Sequence, residues 1–222
     1  MNDDVKPLTK RRYAAPQRAA QAAATRRAVL RAARDLFVRR GYTATTGSDI
    51  AARAGVSVDT VYAAVGRKPA VLRELVETAL SGTDRAVVAQ QREYVAAIRS
   101  ATTAREKLTI YAAAVVKIQQ RLAPVFLALR DAAVDDADCA ALWHEISDRR
   151  ARNMREFAAD LRATGELRPD LSDSDVADIV WSMNAAEYWV LLVHQRRWKP
   201  ARFGDWLADT WTRSLLALVP TP

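Results

Sequence analysis

Between Asp49 and Tyr62 the chain reads DIAARAGVSVDTVY, and this stretch limits the possible folds more than any other. Two short helical segments flank Gly55, which suits a tight turn because it lacks a Cβ and tolerates a left-handed backbone. Ile50, Ala51 and Ala54 give the first segment a small apolar face. Val61 and Val65, four apart, give the second segment another. Val56 lies between them as a core plug, and Ser57 is placed to cap the second helix. This is the outline of a helix-turn-helix, a shape that fits one helix into the DNA major groove.

The flanking sequence supplies the rest of such a unit. Val29, Leu30, Ala33, Leu36 and Phe37 fall on one side of a helix expected from about Thr25 to Arg40, with arginines over much of the remainder. Gly41 follows as a C-terminal stop, Tyr42 is expected to pack back on the core, and Ser48 is read as the N-cap of the next helix. Lys68 and Pro69 open a further helix carrying Val71, Leu72, Leu75, Val76 and Ala79, which ends at Ser81-Gly82. Upstream, Pro7 and Pro16 are expected to break any helix among the repelling cations Lys6, Lys10, Arg11, Arg12 and Arg18. The expected organisation is a flexible basic arm over 1–24, a DNA-binding domain over 25–81 and a helical domain over 82–222. The arm reads either as a solubilising tail or as a tracker of phosphates and the minor groove.

Charge agrees with this division. Residues 1–80 hold 15 Lys and Arg against 7 Asp and Glu, whereas residues 81–222 hold 19 of each, so the net +8 sits entirely in the first part. Joined to a helix-turn-helix, such a basic segment is expected to meet a polyanion. Glycine and proline are scarce and no β-branched run alternates at period two, so the fold is expected to be all-α. A single cysteine, Cys139, rules out an internal disulfide and suits a reducing cytoplasm, as a buried thiol or a redox sensor. The first residues have no apolar core of a secretory signal, and no uninterrupted apolar stretch reaches about 18 residues, so no membrane partner is expected. Two histidines and one cysteine, far apart, make no common metal set; phosphate-loop, dinucleotide and nucleophile-elbow motifs are absent. Neither a cofactor, a metal nor an enzymatic activity is expected.

The segments RRAVLRAARDLFVRRGY, TATTGSDIAARAGVSVDTVY and GRKPAVLRELV resemble the DNA-binding domain of the tetracycline-repressor (TetR) family. The matching positions run from Ala33, Leu36, Phe37, Gly41 and Tyr42 through Thr45, Thr46, Ile50, Ala51, Ala54, Gly55, Val56, Ser57, Thr60 and Tyr62 to Lys68, in order and without gaps. The resemblance implies a dimeric transcription regulator, usually a repressor, released from a palindromic operator by a small ligand. It implies DNA contacts at Thr46 and Ser48, on the recognition helix at Ser57, Val58, Asp59, Thr60, Tyr62 and Ala63, and at Lys68, with Arg11 and Arg12 added by the basic arm. Gly47, Ala63, Ala64 and Val65 depart from the family pattern. The outward face carries no Arg, Lys, Gln or Asn, the residues that make bidentate base contacts worth about 1–3 kcal/mol each. Readout is therefore expected to lean on methyls, DNA shape and the arm. Asp59 serves either as an acceptor for cytosine or as a cap for its own helix, and Tyr62 either packs at the rim or bonds a phosphate.

About six helices are expected beyond Gly82: 84–101, 105–121, a short one opened by Pro124, 137–164, one from 173 or 174 to about 195, and about 201–218. The last two are apolar over more than one face, and Val180, Met183, Trp189, Trp211 and Leu215 are expected at a homodimer interface. The alternative is that they are internal to a monomeric core. Tyr111, Phe126, Trp143, Met154 and Phe157 are expected to line a cavity for a partly apolar small-molecule effector, or else to be plain core. Asn184 and Glu187 are polar positions in this apolar region and reach either across a dimer or to a ligand. The expected function is sequence-specific, ligand-responsive transcriptional regulation at a double-stranded operator. The alternative is a non-specific nucleoid-associated or scaffold protein using the same basic region.

Overall fold

The structure, a computed structural model, describes residues 9–217, with side chains from residue 16 onward. Its described elements are helical, apart from one isolated antiparallel bridge between Leu167 and Leu216. They divide into two compact units, one ending at Glu74 and one beginning at Leu75.

The first unit contains helix α1 (Thr9–Arg40), α2 (Gly47–Ala54), α3 (Val58–Ala64) and the start of α4 (Lys68–Ser81). Val29, Ala33, Leu36 and Phe37 of α1 are buried, as are Ile50, Ala51 and Val61. Tyr42 does fold back, its ring centroid 5.3 Å from that of Phe37. Asp35 of α1 pairs with Arg53 of α2 at 2.6 Å and with Arg39 at 2.7 Å, and Arg26 pairs with Glu74.

Two expectations here are corrected. The first helix does not begin at Thr25; it begins at Thr9 and contains Pro16. Proline forfeits one hydrogen bond and crowds the preceding turn, but alanine is the strongest helix former and flanks Pro16 at 14, 15, 19, 20, 22, 23 and 24. The cap of α2 is Thr46, not Ser48. The Thr46 hydroxyl accepts from the Asp49 N–H at 3.1 Å, and the Asp49 carboxylate accepts from the Thr46 N–H at 2.8 Å. This reciprocal box satisfies two backbone donors, which a cap at Ser48 does not.

The second unit holds α5 (Glu93–Ser100), α6 (Ala104–Ala132), α7 (Ala137–Arg162), α8 (Asp173–Met183), α9 (Ala186–Trp189) and α10 (Pro200–Leu215). Helix α6 packs against α5, α7, α9 and α10, and α7 packs against α8. By length and composition α6 is apolar enough to cross a membrane. Its apolar character is that of a central helix, with Leu108, Ala112, Val115, Leu122, Val125, Phe126 and Leu129 all buried within the unit. The C-terminus is held by the bridge, where the Arg168 N–H donates to Leu215 O at 2.9 Å and the Ala217 N–H to Glu166 O at 3.0 Å.

The helix boundaries of this unit also need correction. Residues 84–88 are not helical; only a 3-10 turn (Ala89–Gln91) precedes α5. The Ser81 and Thr83 hydroxyls both donate to Arg85 O at 2.7 Å, and the Arg92 guanidinium donates to Val87 O, so side chains take the place of helical bonds. Pro124 does not open a new helix but lies inside α6. The carbonyl it leaves without a donor belongs to Gln120, an exposed residue that water can serve. The expected helix from 173 to 195 is capped by Ser172 and breaks at Asn184–Ala185, then continues as α9 and a π-helical turn (Val190–Gln195).

Burial also revises the expected dimer surface. Val180, Trp189, Trp211 and Leu215 are at most 2% exposed within a single chain. Side chains already covered by their own unit have no area left to bury against a partner. Only Met183 of the five remains partly exposed.

Candidate functional site

Gly55 turns the chain with φ 70° and ψ 32°, a left-handed conformation that strains any residue with a Cβ. Val56 then bonds back to Ala51 O at 3.0 Å, and Ser57 caps α3 by accepting from the Thr60 N–H at 3.1 Å. Ser57, not Asp59, is the cap; Asp59 is the second residue of α3 and is exposed. The Ser57 and Thr60 hydroxyls also bond each other at 2.8 Å. That engages the Thr60 hydroxyl within the cap, while its methyl remains as an apolar contact group.

The other face residues are now placed. Val61 is the one fully buried residue of α3. Val58 and Thr60 are half-buried, while Asp59, Tyr62 and Ala63 are exposed. Tyr62 reaches the start of α2: its Oη is 3.4 Å from where a Cβ on Gly47 would lie. Gly47 therefore brings the tyrosine hydroxyl beside the free N–H groups at the beginning of α2, a place suited to a phosphate. Thr46 and Ser48 sit there too and are exposed, although the Thr46 hydroxyl donates to Asp49 at 2.6 Å. That bond, together with the Thr46 N–H, holds the Asp49 carboxyl below its ordinary value. Lys68 donates to Tyr42 O at 3.1 Å and its ammonium lies 4.0 Å from the Tyr42 ring centroid, so its position is fixed by the core. Arg11 and Arg12 lie in α1, and their side chains are outside the described residues.

The second unit holds a cavity of about 220 Å³, partly open to solvent beside Gln90 and Arg99, among α5, α6, α7 and the α8–α9 break. Tyr111, Phe126, Met154 and Phe157 line it. Trp143 does not; its ring stacks on Phe126 with centroids 4.5 Å apart, behind the wall. Tyr111 stacks on Trp211 at 5.5 Å and meets Phe157 at 5.0 Å, which fixes its ring. Burial pushes the Tyr111 hydroxyl well above its ordinary value, so it stays a neutral donor. It donates to Met154 Sδ at 3.4 Å and accepts from Asn184 Nδ2 at 2.9 Å. Asn184 therefore faces the cavity and not a partner chain, while Glu187 reaches Arg130 at 3.4 Å on the exposed side.

The cavity has polar groups that were not anticipated. Gln119 is 4% exposed and donates through Nε2 to Asn184 O at 2.6 Å. Arg150 donates to Trp181 O at 3.0 Å and lies over the Trp181 ring at 4.4 Å. Burial lowers the Arg150 guanidinium from its ordinary value, against the opposing effects of Tyr111 and Glu187. The missed signal was positional. Gln119 falls between Val115 and Leu122, and Arg150 between Ile146 and Met154, at helical spacing inside apolar stripes.

Residues 29–75 match the sequence profile described as bacterial regulatory proteins, tetR family. Over these residues the chain is similar to the TetR family. The matched residues take in the C-terminal part of α1, all of α2 and α3 and the start of α4. No curated protein matches the chain. Solved structures share the fold over most of the chain. The MbdR regulator from Azoarcus sp. CIB is 21% identical, with a TM-score of 0.66 over 87% of this chain and 100% of that one. A transcriptional regulator from Saccharomonospora viridis in complex with choline is 20% identical, with a TM-score of 0.64 over 87% and 98%. A SmeT–triclosan complex is 19% identical, with a TM-score of 0.62 over 90% and 98%.

Proposed function

We propose that this chain is a homodimeric, ligand-responsive transcriptional regulator of the TetR family, acting as a repressor in the cytoplasm. The observation that carries the reading is the capped α2–turn–α3 unit, with Tyr62 reaching the start of α2 near Ser48 and Lys68 fixed on Tyr42. Such an arrangement tracks the phosphates on one edge of the major groove while α3 lies within it. On α3, the methyls of Val58, Thr60 and Ala63 meet thymine methyls, and Asp59, no longer needed as a cap, is free to accept from cytosine.

Small-molecule complexes of structures with the same fold support a ligand role for the cavity. Ligand bound there favours a dimer whose recognition helices no longer fit successive major grooves. The dimer surface is drawn from side chains that one chain leaves partly exposed: Ile179, Met183 and Leu191. The test is gel-shift titration of the full chain on DNA selected from a random pool. A complex of two chains per site, dissolved by a compound that binds the helical unit, is the expected result. One chain per site, or no compound that dissolves the complex, contradicts it.

A further inference from the structure

The polar atoms of the cavity specify more than a generic apolar ligand. Gln119 Oε1, Asn184 Oδ1 and Arg150 Nε are buried and without a hydrogen-bond partner. Each such group costs free energy unless something in the cavity completes it. The Gln119 amide orientation is fixed by a neighbour that only accepts, and the Asn184 orientation is favoured by one, the Met154 sulfur. Gln119 Nε2 faces a backbone carbonyl, and Asn184 Nδ2 faces Met154 Sδ at 3.3 Å as well as the Tyr111 oxygen. The atoms left over are therefore oxygens that need a donor. Arg150, by contrast, presents a donor that needs an acceptor, and a cation that needs an anion.

The charges around the cavity agree. Arg92, Arg99, Arg149 and Arg150 line it against the carboxylates of Glu156 and Asp160. Arg149 is paired with Glu77 at 2.6 Å, Asp160 with Lys107 at 3.0 Å, and Glu156 accepts from Gln90 at 3.5 Å. Asp160 is thus neutralised, Glu156 is held only by a neutral amide, and Arg92, Arg99 and Arg150 set against Glu156 leave a net cationic excess. Tyr94, Tyr111 and Phe157 offer aromatic faces that a cation would also accept, but an ammonium group there would meet this excess.

Resting on the reading of this cavity as the effector site, we propose that the ligand is an amphipathic organic acid. Its carboxylate is taken by Arg150, and a hydroxyl or N–H at the other end of an apolar body donates to Asn184 Oδ1 or Gln119 Oε1. The same contacts explain coupling. Arg150 and Gln119 already hold the backbone carbonyls of Trp181 and Asn184, at the C-terminal end of α8. A ligand that engages these side chains competes for the grip on that helix end.

The probes are four compounds on one ring: 3-(4-hydroxyphenyl)propanoate, its methyl ester, 3-phenylpropanoate and tyramine. Calorimetric titration of the full chain should rank the hydroxy acid first, with ester and amine weaker by about tenfold or more. Arg150→Gln should bring the acid down to the ester without changing the ester, which also shows that the variant is folded. Gln119→Met should narrow the gap between the hydroxy and des-hydroxy acids. Tyramine binding as tightly as the acid, an acid and ester within about threefold, or no binding by any probe overturns the proposal. Release from DNA is scored separately. An acid that ranks first yet leaves the DNA complex intact refutes the effector reading and not the ligand class. Release by other compounds with no acid preference does the reverse.

Discussion

The outward face of α3 and the wall of the cavity make opposite use of side chains. The face expected to read DNA is made of methyls, hydroxyls and one carboxylate, with no arginine, lysine or amide. The wall of the cavity holds guanidiniums and amides, three of whose polar atoms are buried and have no partner. Groups that make directional contacts are thus spent where desolvation raises the cost of a mismatch, and hence the selectivity. At the proposed DNA face, position would come from backbone caps and phosphate contacts, and discrimination would fall to methyl contacts and DNA shape.

The sharpest way to break this contrast is to disturb the packing on which the cavity rests. Trp211→Ala should remove about 3–5 kcal/mol from the helical unit, seen as a lower urea midpoint, because Trp211 is fully buried and stacks on Tyr111. An unchanged midpoint with a monomeric chain would return Trp211 to a surface. Met183→Glu should do the opposite, giving monomers by sedimentation with the midpoint nearly kept; a persistent dimer would refute the proposed surface.

Smaller effects are expected in the DNA-binding unit. Gly55→Ala should cost about 1–2 kcal/mol, all of it from the backbone, because nothing lies within 4 Å of the added Cβ. No loss in thermal melting would remove the strained turn from the account. Tyr62→Phe should weaken binding to every DNA sequence alike by about 0.5–1.5 kcal/mol and leave folding untouched. A sequence-dependent loss would make Tyr62 a reader of bases. The smallest effect is one of pH. Asp49 has a depressed value in the folded chain, so its box with Thr46 contributes stability above the ordinary carboxyl value of 3.8 and loses it as pH falls through the lowered value. The stability difference between the native chain and Asp49→Asn, followed by thermal melting, should shrink over that descent; a constant difference would contradict the box.

The sequence was legible where structure is local. Gly41, Gly55 and Ser57 act through their own backbone or their nearest neighbours, and the apolar spacing of α1 to α4 needs no knowledge of distant chain. It misplaced the cap of α2 because Thr46 and Ser48 are equally good caps until Asp49 is seen to close the box. It broke α1 at Pro16 and α6 at Pro124 because proline's cost was counted without the rest of the helix. Trp189, Trp211 and Leu215 read as interface because a helix apolar on several sides needs cover, and sequence alone does not say whose. Gln119 and Arg150 went unnoticed although they interrupt apolar stripes, since only the fold brings them to the end of α8 beside Asn184.

The central claim is that a polar-poor recognition helix still places a dimer on a specific site. Footprinting the full chain on sequences enriched from random DNA tests it most directly. The account predicts a protected inverted repeat whose half-sites are centred one helical turn apart, about 34–36 Å. Uniform, weak and salt-sensitive coverage with no repeat would contradict it, and would leave the basic region as a non-specific DNA-binding surface.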